Sequence, residues 1–184
     1  KKNQPLIVTG VLQRAEAKNQ NGRVYPADIL KREVEEYIKG PIADNRAMGE
    51  LDHPESSVIN LQNVSHTIKK CWWEGDDVVG DVEILATPAG NILKALFAAG
   101  ITVGISSRGM GSVSENIAEQ TVTVQDDFEL LCWDFVSTPS TQGAFMEIKN
   151  NINEIKNKLP KYKYTNVNNI IRDILCNNTG VCRL

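Results

Sequence analysis

Ser106 and Ser107 stand between the apolar run Ile101-Thr102-Val103-Gly104-Ile105 and the glycine-flanked Arg108-Gly109-Met110-Gly111. A serine hydroxyl becomes a useful nucleophile when a neighbouring base takes its proton, and the reaction then needs N–H donors aimed at the developing oxyanion. Residues 104–111 offer a hydroxyl and, at a turn that glycines permit, the amides of Arg108 and Gly109 as donors. The same octet also fits a polar turn after a strand. Adjacent side chains of a strand face opposite ways, so only one of the two serines can meet a given base.

The chain has two histidines. His53 lies in Gly49-Glu50-Leu51-Asp52-His53-Pro54, an irregular stretch with acidic neighbours and a stiffening proline, and is the better candidate base. His66 sits in a regularly alternating run and reads as a sheet residue. No histidine follows Ser106, so an orienting group from the downstream strands must be a carboxylate. Asp134 interrupts Leu130-Leu131-Cys132-Trp133-Asp134-Phe135-Val136, where a charge is costly unless paired; a solvent-facing strand end is the other explanation.

Glu50, Asp52 and His53 also suggest metal ligands, but no second histidine or spaced carboxylate completes a familiar set, so neither metal nor cofactor is expected. The four cysteines form no CxxC pair. Cys71 and Cys132 lie in apolar runs and read as buried, inert thiols; Cys176 and Cys182 fall near the end of the chain.

The elements that must position these residues are short. Leu6 to Leu12 reads as a strand, and Asn19-Gln20-Asn21-Gly22 as a turn. A helix opens at Pro26, buries Leu30, Val34, Tyr37 and Ile38, and ends at Gly40-Pro41. Residues 41–63 lack a period and place His53 on a loop or short strand. Val64 to Trp73 and Val78 to Leu85 form a hairpin across Glu74-Gly75-Asp76-Asp77. A second helix follows Thr87 as N-cap, with Ile92, Leu93, Leu96 and Phe97 inward and Gly100 past its end. Its exit leads to a strand that ends at the serine pair; further strands lie at 121–124 and 128–136. Several hairpin-like strands with two helices predict an α+β fold built on a small antiparallel β-barrel with flanking helices.

A length of 184 residues suits one domain, here residues 1–148, followed by an Asn/Lys-rich tail over 149–184 that holds a short helix at most. The net charge of -3, with both signs interspersed, lacks the basic face of a nucleic-acid binder. No apolar run approaches the roughly 20 residues that span a bilayer, and Lys1-Lys2-Asn3-Gln4 lacks a signal peptide's apolar core, so the expectation is a cytosolic protein off the membrane.

Several ordered blocks resemble the prohead core proteases of T-even-like tailed bacteriophages, which are related to the herpesvirus assemblin proteases. They are Gln13 to Glu16, Gly22-Arg23-Val24-Tyr25-Pro26, Gly49-Glu50-Leu51-Asp52-His53-Pro54, Trp72-Trp73-Glu74-Gly75-Asp76-Asp77-Val78-Val79-Gly80 and residues 104–111. The resemblance covers roughly Leu6 to Ser140. It implies a serine endopeptidase of capsid maturation with an assemblin-like barrel, in which His53 is the general base and Ser106 the nucleophile. Asp134 is similar in position to an acidic residue of relatives. The herpesvirus enzymes use a second histidine as third member, and this chain departs from them there.

The resemblance further implies action inside the immature prohead in the host cytoplasm, on scaffold, shell and internal proteins and on the protease itself. Relatives cut after a glutamate that follows an apolar residue two positions earlier, a pattern met at Glu147 and Glu154. A glutamate pocket needs a cation, for which Arg108 is the first candidate; fixing the serine loop is its other reading. A catalytically silent structural component of the prohead core is the alternative function. Either reading is compatible with an oligomer.

Overall fold

The computed structural model describes residues 5–118 and 120–149. Contacts divide the chain into Lys1–Asn150 and Asn151–Leu184, and every described residue belongs to the first unit. The expected tail beyond Lys149, with its short helix, Glu154, Cys176 and Cys182, lies outside the described residues.

The architecture is mixed α+β. Five strands make one antiparallel sheet: β1 (Leu6–Arg14), β3 (Met48–Glu50), β4 (Val64–Glu74), β5 (Asp77–Ile84) and β10 (Glu147–Ile148), ordered β10-β1-β5-β4-β3. A second sheet orders β2 (Arg23–Val24), β8 (Thr121–Val124) and β7 (Val113–Asn116) as β2-β8-β7. A two-stranded ribbon pairs β6 (Gly104–Met110) with β9 (Glu129–Val136).

A continuous closed barrel, as expected from the hairpin-like strands, is not found among the described residues. The ladders break into three sheets because the residues that join them make single bridges only. Leu51 bridges Phe135 in parallel and Gly104 bridges Phe145 antiparallel. The Ile105 N–H donates to the Ala144 carbonyl at 2.9 Å and the Met146 N–H to the Val103 carbonyl at 3.0 Å, so the ribbon is stitched beside β10 without a regular ladder.

Helix α1 (Ala27–Tyr37) buries Ile29, Leu30, Val34 and Tyr37. The Glu16 carboxylate accepts from the Ala27 N–H, which satisfies one of the free donors at the helix start and explains a glutamate just ahead of the Gly22-Arg23-Val24-Tyr25-Pro26 block. Gly40-Pro41 does not stop the helix as expected. A π-helical turn, Ile38–Ile42, carries the chain past it, because Pro41 lacks an N–H while its carbonyl still accepts from Arg46 N–H at 2.7 Å.

Helix α2 (Pro88–Ala98) is capped as expected, with Thr87 Oγ1 accepting from the Gly90 N–H at 3.0 Å. Its inward face differs. Ala89, Gly90, Leu93 and Phe97 are buried, whereas Ile92 points outward, because the first turn lies directly on the end of β5. A Cβ on Gly90 would come within 2.1 Å of the Leu85 carbonyl oxygen, so only glycine allows that approach.

The two helices meet the centre of β9 from different directions. Tyr37 packs edge-on against Trp133 at 4.9 Å between ring centroids, and Phe97 against Phe135 at 6.0 Å. His66 stacks edge-on against Phe135 at 4.6 Å and is fully buried. These apolar residues of β9 anchor the strand, so Asp134 between them is held in one place.

Candidate active site

β6 and β9 carry the reactive residues in register. Ser106 lies opposite Asp134 and Arg108 opposite Cys132, which sets all four side chains on one face of the ribbon. Ser107 lies opposite Trp133 and alternates to the other face. The serine pair therefore sits inside a strand, not at its end, and residues 104–110 are extended where a glycine-rich turn was expected. Close packing explains the glycine at 109: a Cβ there would lie 2.4 Å from the Phe128 ring and 2.6 Å from the Glu129 carbonyl oxygen.

The same geometry bears on the oxyanion expectation. A strand advances about 3.3 Å per residue, so Gly109 is about 10 Å along β6 from Ser106. Gly109 lines a cavity of about 420 Å3, with Arg108, His53 and Phe128.

His53 is delivered to Asp134 by three successive ties between its segment and β9. The Glu50 N–H donates to Asp134 Oδ1 at 2.9 Å, Leu51 bridges Phe135, and the Asp52 N–H donates to the Phe135 carbonyl at 2.9 Å. Asp52 adopts φ 67, a left-handed conformation that aspartate tolerates, and this reverses the chain immediately before His53. At Gly49 a Cβ would meet the Trp133 carbonyl oxygen at 2.1 Å and the His66 ring at 2.4 Å, so the glycine is what lets β3 approach β9.

His53 Nδ1 lies 2.9 Å from Asp134 Oδ2, with the imidazole 41% exposed and the carboxylate completely buried. Asp134 is saturated: Oδ2 also meets Arg108 Nε at 2.9 Å, and Oδ1 accepts from Arg108 Nη2 at 3.2 Å and from the Glu50 N–H. Burial alone pushes the Asp134 carboxyl up, but the His53 hydrogen bond, the Glu50 N–H and the Arg108 charge outweigh it and hold the group below the usual carboxylate range. It is an anion in position to fix the imidazole tautomer and stabilise the imidazolium.

Arg108 is spent within the protein. Its Nη2 donates to Glu50 Oε1 at 2.9 Å, its Nη1 to the Ser56 carbonyl at 2.7 Å, and Nε and Nη2 reach Cys132 Sγ at 3.3 and 3.2 Å. Glu50, Arg108 and Asp134 thus form a buried cluster of two carboxylates and one guanidinium, closed over by the His53 loop at Ser56. Sequence reasoning placed Glu50 only among weak metal ligands; its role as partner of Arg108 had no local signal, since 58 positions separate them. Burial pushes the thiols of Cys71 and Cys132 up to about 12, which leaves both protonated and poor nucleophiles at neutral pH.

The Ser106 hydroxyl is hydrogen-bonded to Ser140 Oγ at 2.9 Å, not to His53. Ser106 and His53 nevertheless line one cavity of about 240 Å3, together with Ser107, Ser140, Arg23 and Tyr25. Ser140 is a site residue that sequence reasoning missed, because a serine in Thr138-Pro139-Ser140 reads as an ordinary strand-closing turn. His66 has the opposite character from His53. Nδ1 lies 2.8 Å from Ser65 Oγ and Nε2 2.8 Å from the Trp133 carbonyl, and burial lowers its pKa to about 4.

A mixed α+β fold brings a carboxylate, an exposed imidazole and a serine to one cleft, groups that can perform hydrolysis, and the comparisons with known proteins place the chain among proteases. Residues 2–157 match the family described as prohead core protein serine protease, and the chain belongs to that family. It is 33% identical over 147 residues to the prohead core protein protease of Enterobacteria phage T4, an alignment that covers 78% of this chain and 69% of the relative. The solved structure of the bacteriophage T4 capsid assembly protease is similar with a TM-score of 0.70 at 32% identity, covering 73% of this chain and 84% of that one.

Proposed function

We propose that this chain is the serine endopeptidase of phage capsid maturation, with Ser106 as nucleophile, His53 as general base and Asp134 as the group that orients His53. The observation that carries this reading is the contact of 2.9 Å between His53 Nδ1 and the buried Asp134 carboxylate, beside a cavity that His53 shares with Ser106. With Nδ1–H donated to Asp134, the lone pair of the imidazole is on Nε2, which bonds to no described residue. In the reacting state the Ser106 hydroxyl leaves Ser140 and gives its proton to Nε2.

Attack of Oγ on the scissile carbonyl then forms a tetrahedral intermediate while His53 takes the proton. His53 returns that proton to the leaving amine, which gives an acyl-enzyme; a water molecule repeats the cycle and releases the acid. The cluster sets the carboxyl groups of Glu50 and Asp134 against the one guanidinium of Arg108, and His53 adds a second cation beside Asp134 when it becomes imidazolium. Arg108 in this reading positions Asp134 and the His53 loop. The three sheets and their single bridges serve as a small antiparallel barrel of the assemblin-like kind, and residues 1–148 are the protease domain ahead of an Asn/Lys-rich tail.

The protein acts inside the immature prohead in the host cytoplasm and cleaves scaffold, shell and internal proteins and itself, after glutamate. Family membership supports the setting. Of the two candidate cleavage sites, Glu147 lies in β10 opposite Thr9, with Met146 buried behind it, so cleavage there requires β10 to leave the sheet. Glu154 lies outside the described residues. A serine-directed phosphonate tests the reading: it labels Ser106 in the wild type and fails to label His53→Ala. A wild-type protein that stays unlabelled and leaves glutamate peptides intact is the silent prohead component instead.

A further inference from the structure

The cavity that holds the Ser106 hydroxyl has an unusual charge content. Apart from the titratable His53, Arg23 is the one charged side chain among its lining residues; the others include Gln20, Asn21, Tyr25 and Thr138. Arg23 also lines the larger cavity, as do Tyr25, His53 and Ser107. Glu55 is among the residues of the larger cavity's lining and not of the smaller one's.

Arg23 is held by its backbone and free at its tip. Its N–H donates to Asn19 Oδ1 at 2.9 Å, its carbonyl accepts from the Asn19 N–H at 2.9 Å, and it pairs with Val122 of β8 in parallel. The guanidinium is exposed and makes no ion pair or hydrogen bond with any described residue. Arg108, the other arginine of the cleft, is 6% exposed, and all three of its nitrogens are engaged internally. Among the described residues that line the cleft, Arg23 is the arginine left to offer a ligand.

We propose that Arg23 is the specificity-determining cation of this cleft, binding the carboxylate of an acidic substrate side chain adjacent to the scissile bond, in the cavity beside Ser106. The proposal rests on the endopeptidase reading and assigns the recognition role to Arg23 in place of Arg108. A substrate that fills the cavity excludes water from its own side chain, and a carboxylate stripped of water is tolerated there only with a charged partner. The planar guanidinium fork offers two parallel N–H donors to the two carboxylate oxygens, a match that a lysine or an amide lacks. Before substrate arrives, the exposed Arg23 remains solvated, so leaving it unpaired costs the resting protein little.

The test uses the full chain and two peptides that differ only by Glu or Gln before the scissile bond. The wild type is expected to cleave the Glu peptide with a kcat/KM roughly tenfold to hundredfold higher, the range for one charge-assisted bidentate contact. Arg23→Gln brings the Glu-to-Gln ratio close to one, Arg23→Lys keeps part of it, and Arg23→Glu favours a peptide with Lys at that position. Each ratio is internal to one variant, so partial unfolding, which lowers both rates alike, cancels. A Glu-to-Gln ratio unchanged in Arg23→Gln, or absent in the wild type, overturns the proposal. Equilibrium binding of product peptides ending in Glu or Gln to wild type and Arg23→Gln reads the same contrast without turnover. Failure of the endopeptidase reading shows separately, as no phosphonate labelling of wild-type Ser106 and no cleavage of either peptide.

Discussion

Arg108 and Asp134 meet through two parallel contacts, Nε to Oδ2 at 2.9 Å and Nη2 to Oδ1 at 3.2 Å, with side chains 6% and 0% exposed. An ion pair this deep costs desolvation on both sides, and its net worth for folding is small compared with the penalty of breaking it. What it secures is position. Asp134 has no room to turn away from His53 while Arg108 and the Glu50 N–H hold its other edge.

Arg108→Met is therefore expected to lower stability by about 3–5 kcal/mol, because Glu50 and Asp134 remain buried without their cation. The loss should be greater at neutral pH than near pH 4. In the wild type Asp134 is held low despite burial; with Arg108 gone, burial works with less opposition, and protonation in acid relieves the stranded charge. Urea midpoints at the two pH values measure the difference. An Arg108→Met protein equally destabilised at both pH values would show that lost packing, not lost charge, dominates.

Asp134→Asn keeps the shape of the side chain and reverses one hydrogen bond. An amide that donates to Nδ1 favours the wrong imidazole tautomer and removes the charge opposite the imidazolium. By analogy with general triad behaviour, kcat should fall by about three to four orders of magnitude, with KM changed much less. Steady-state cleavage of a glutamate peptide, corrected for the folded fraction, checks the split between kcat and KM.

The three serines of the cleft should separate clearly. Ser106→Ala is expected to abolish cleavage. Ser107→Ala, across the ribbon opposite Trp133, should retain most of it. Ser140→Ala removes a resting-state hydrogen bond of 2.9 Å that the Ser106 hydroxyl leaves before it reaches His53, so kcat should stay within about tenfold of the wild type. Cleavage lost in Ser107→Ala and kept in Ser106→Ala would reverse the assignment of the nucleophile.

Much of this site was legible in the sequence because its signals are local. The charge of Asp134 inside an apolar strand, the irregular company of His53 and the alternation of Ser106 with Ser107 each follow from a few neighbouring residues. Thr87 as a cap and Leu30, Val34 and Tyr37 as a helix face were legible for the same reason. Long-range partners were not. The Arg108 guanidinium looks the same in sequence whether it faces a substrate or Glu50, and Arg23 sits in a turn-adjacent block with no apolar period. A continuous barrel ladder is not found among the described residues, and single bridges such as Leu51 to Phe135, which join the sheets there, leave no pattern of their own in the sequence. Ile92 was assigned inward by spacing, but the closeness that Gly90 allows turned the helix by its small residues.

His66 supplies a prediction independent of catalysis. It is buried and neutral, donating from Nε2 to the Trp133 carbonyl and accepting at Nδ1 from Ser65, and its pKa falls from 6.5 to about 4. The unfolded chain takes up this proton near pH 6.5, whereas the folded protein resists it until about pH 4. Stability is thus unaffected by this group above the unfolded value, declines as pH falls between the two, and levels off below the lower one. The expected loss is about 2–4 kcal/mol. Asp134 acts lower, since a carboxylate held below its usual range withdraws its contribution only under still more acid conditions. His66→Gln, compared with wild type in urea titrations from pH 7 to pH 4, should start less stable and show a flatter decline over that interval. An unchanged slope would assign the acid sensitivity to other groups, because no other side chain in the described residues combines full burial with a histidine's titration range.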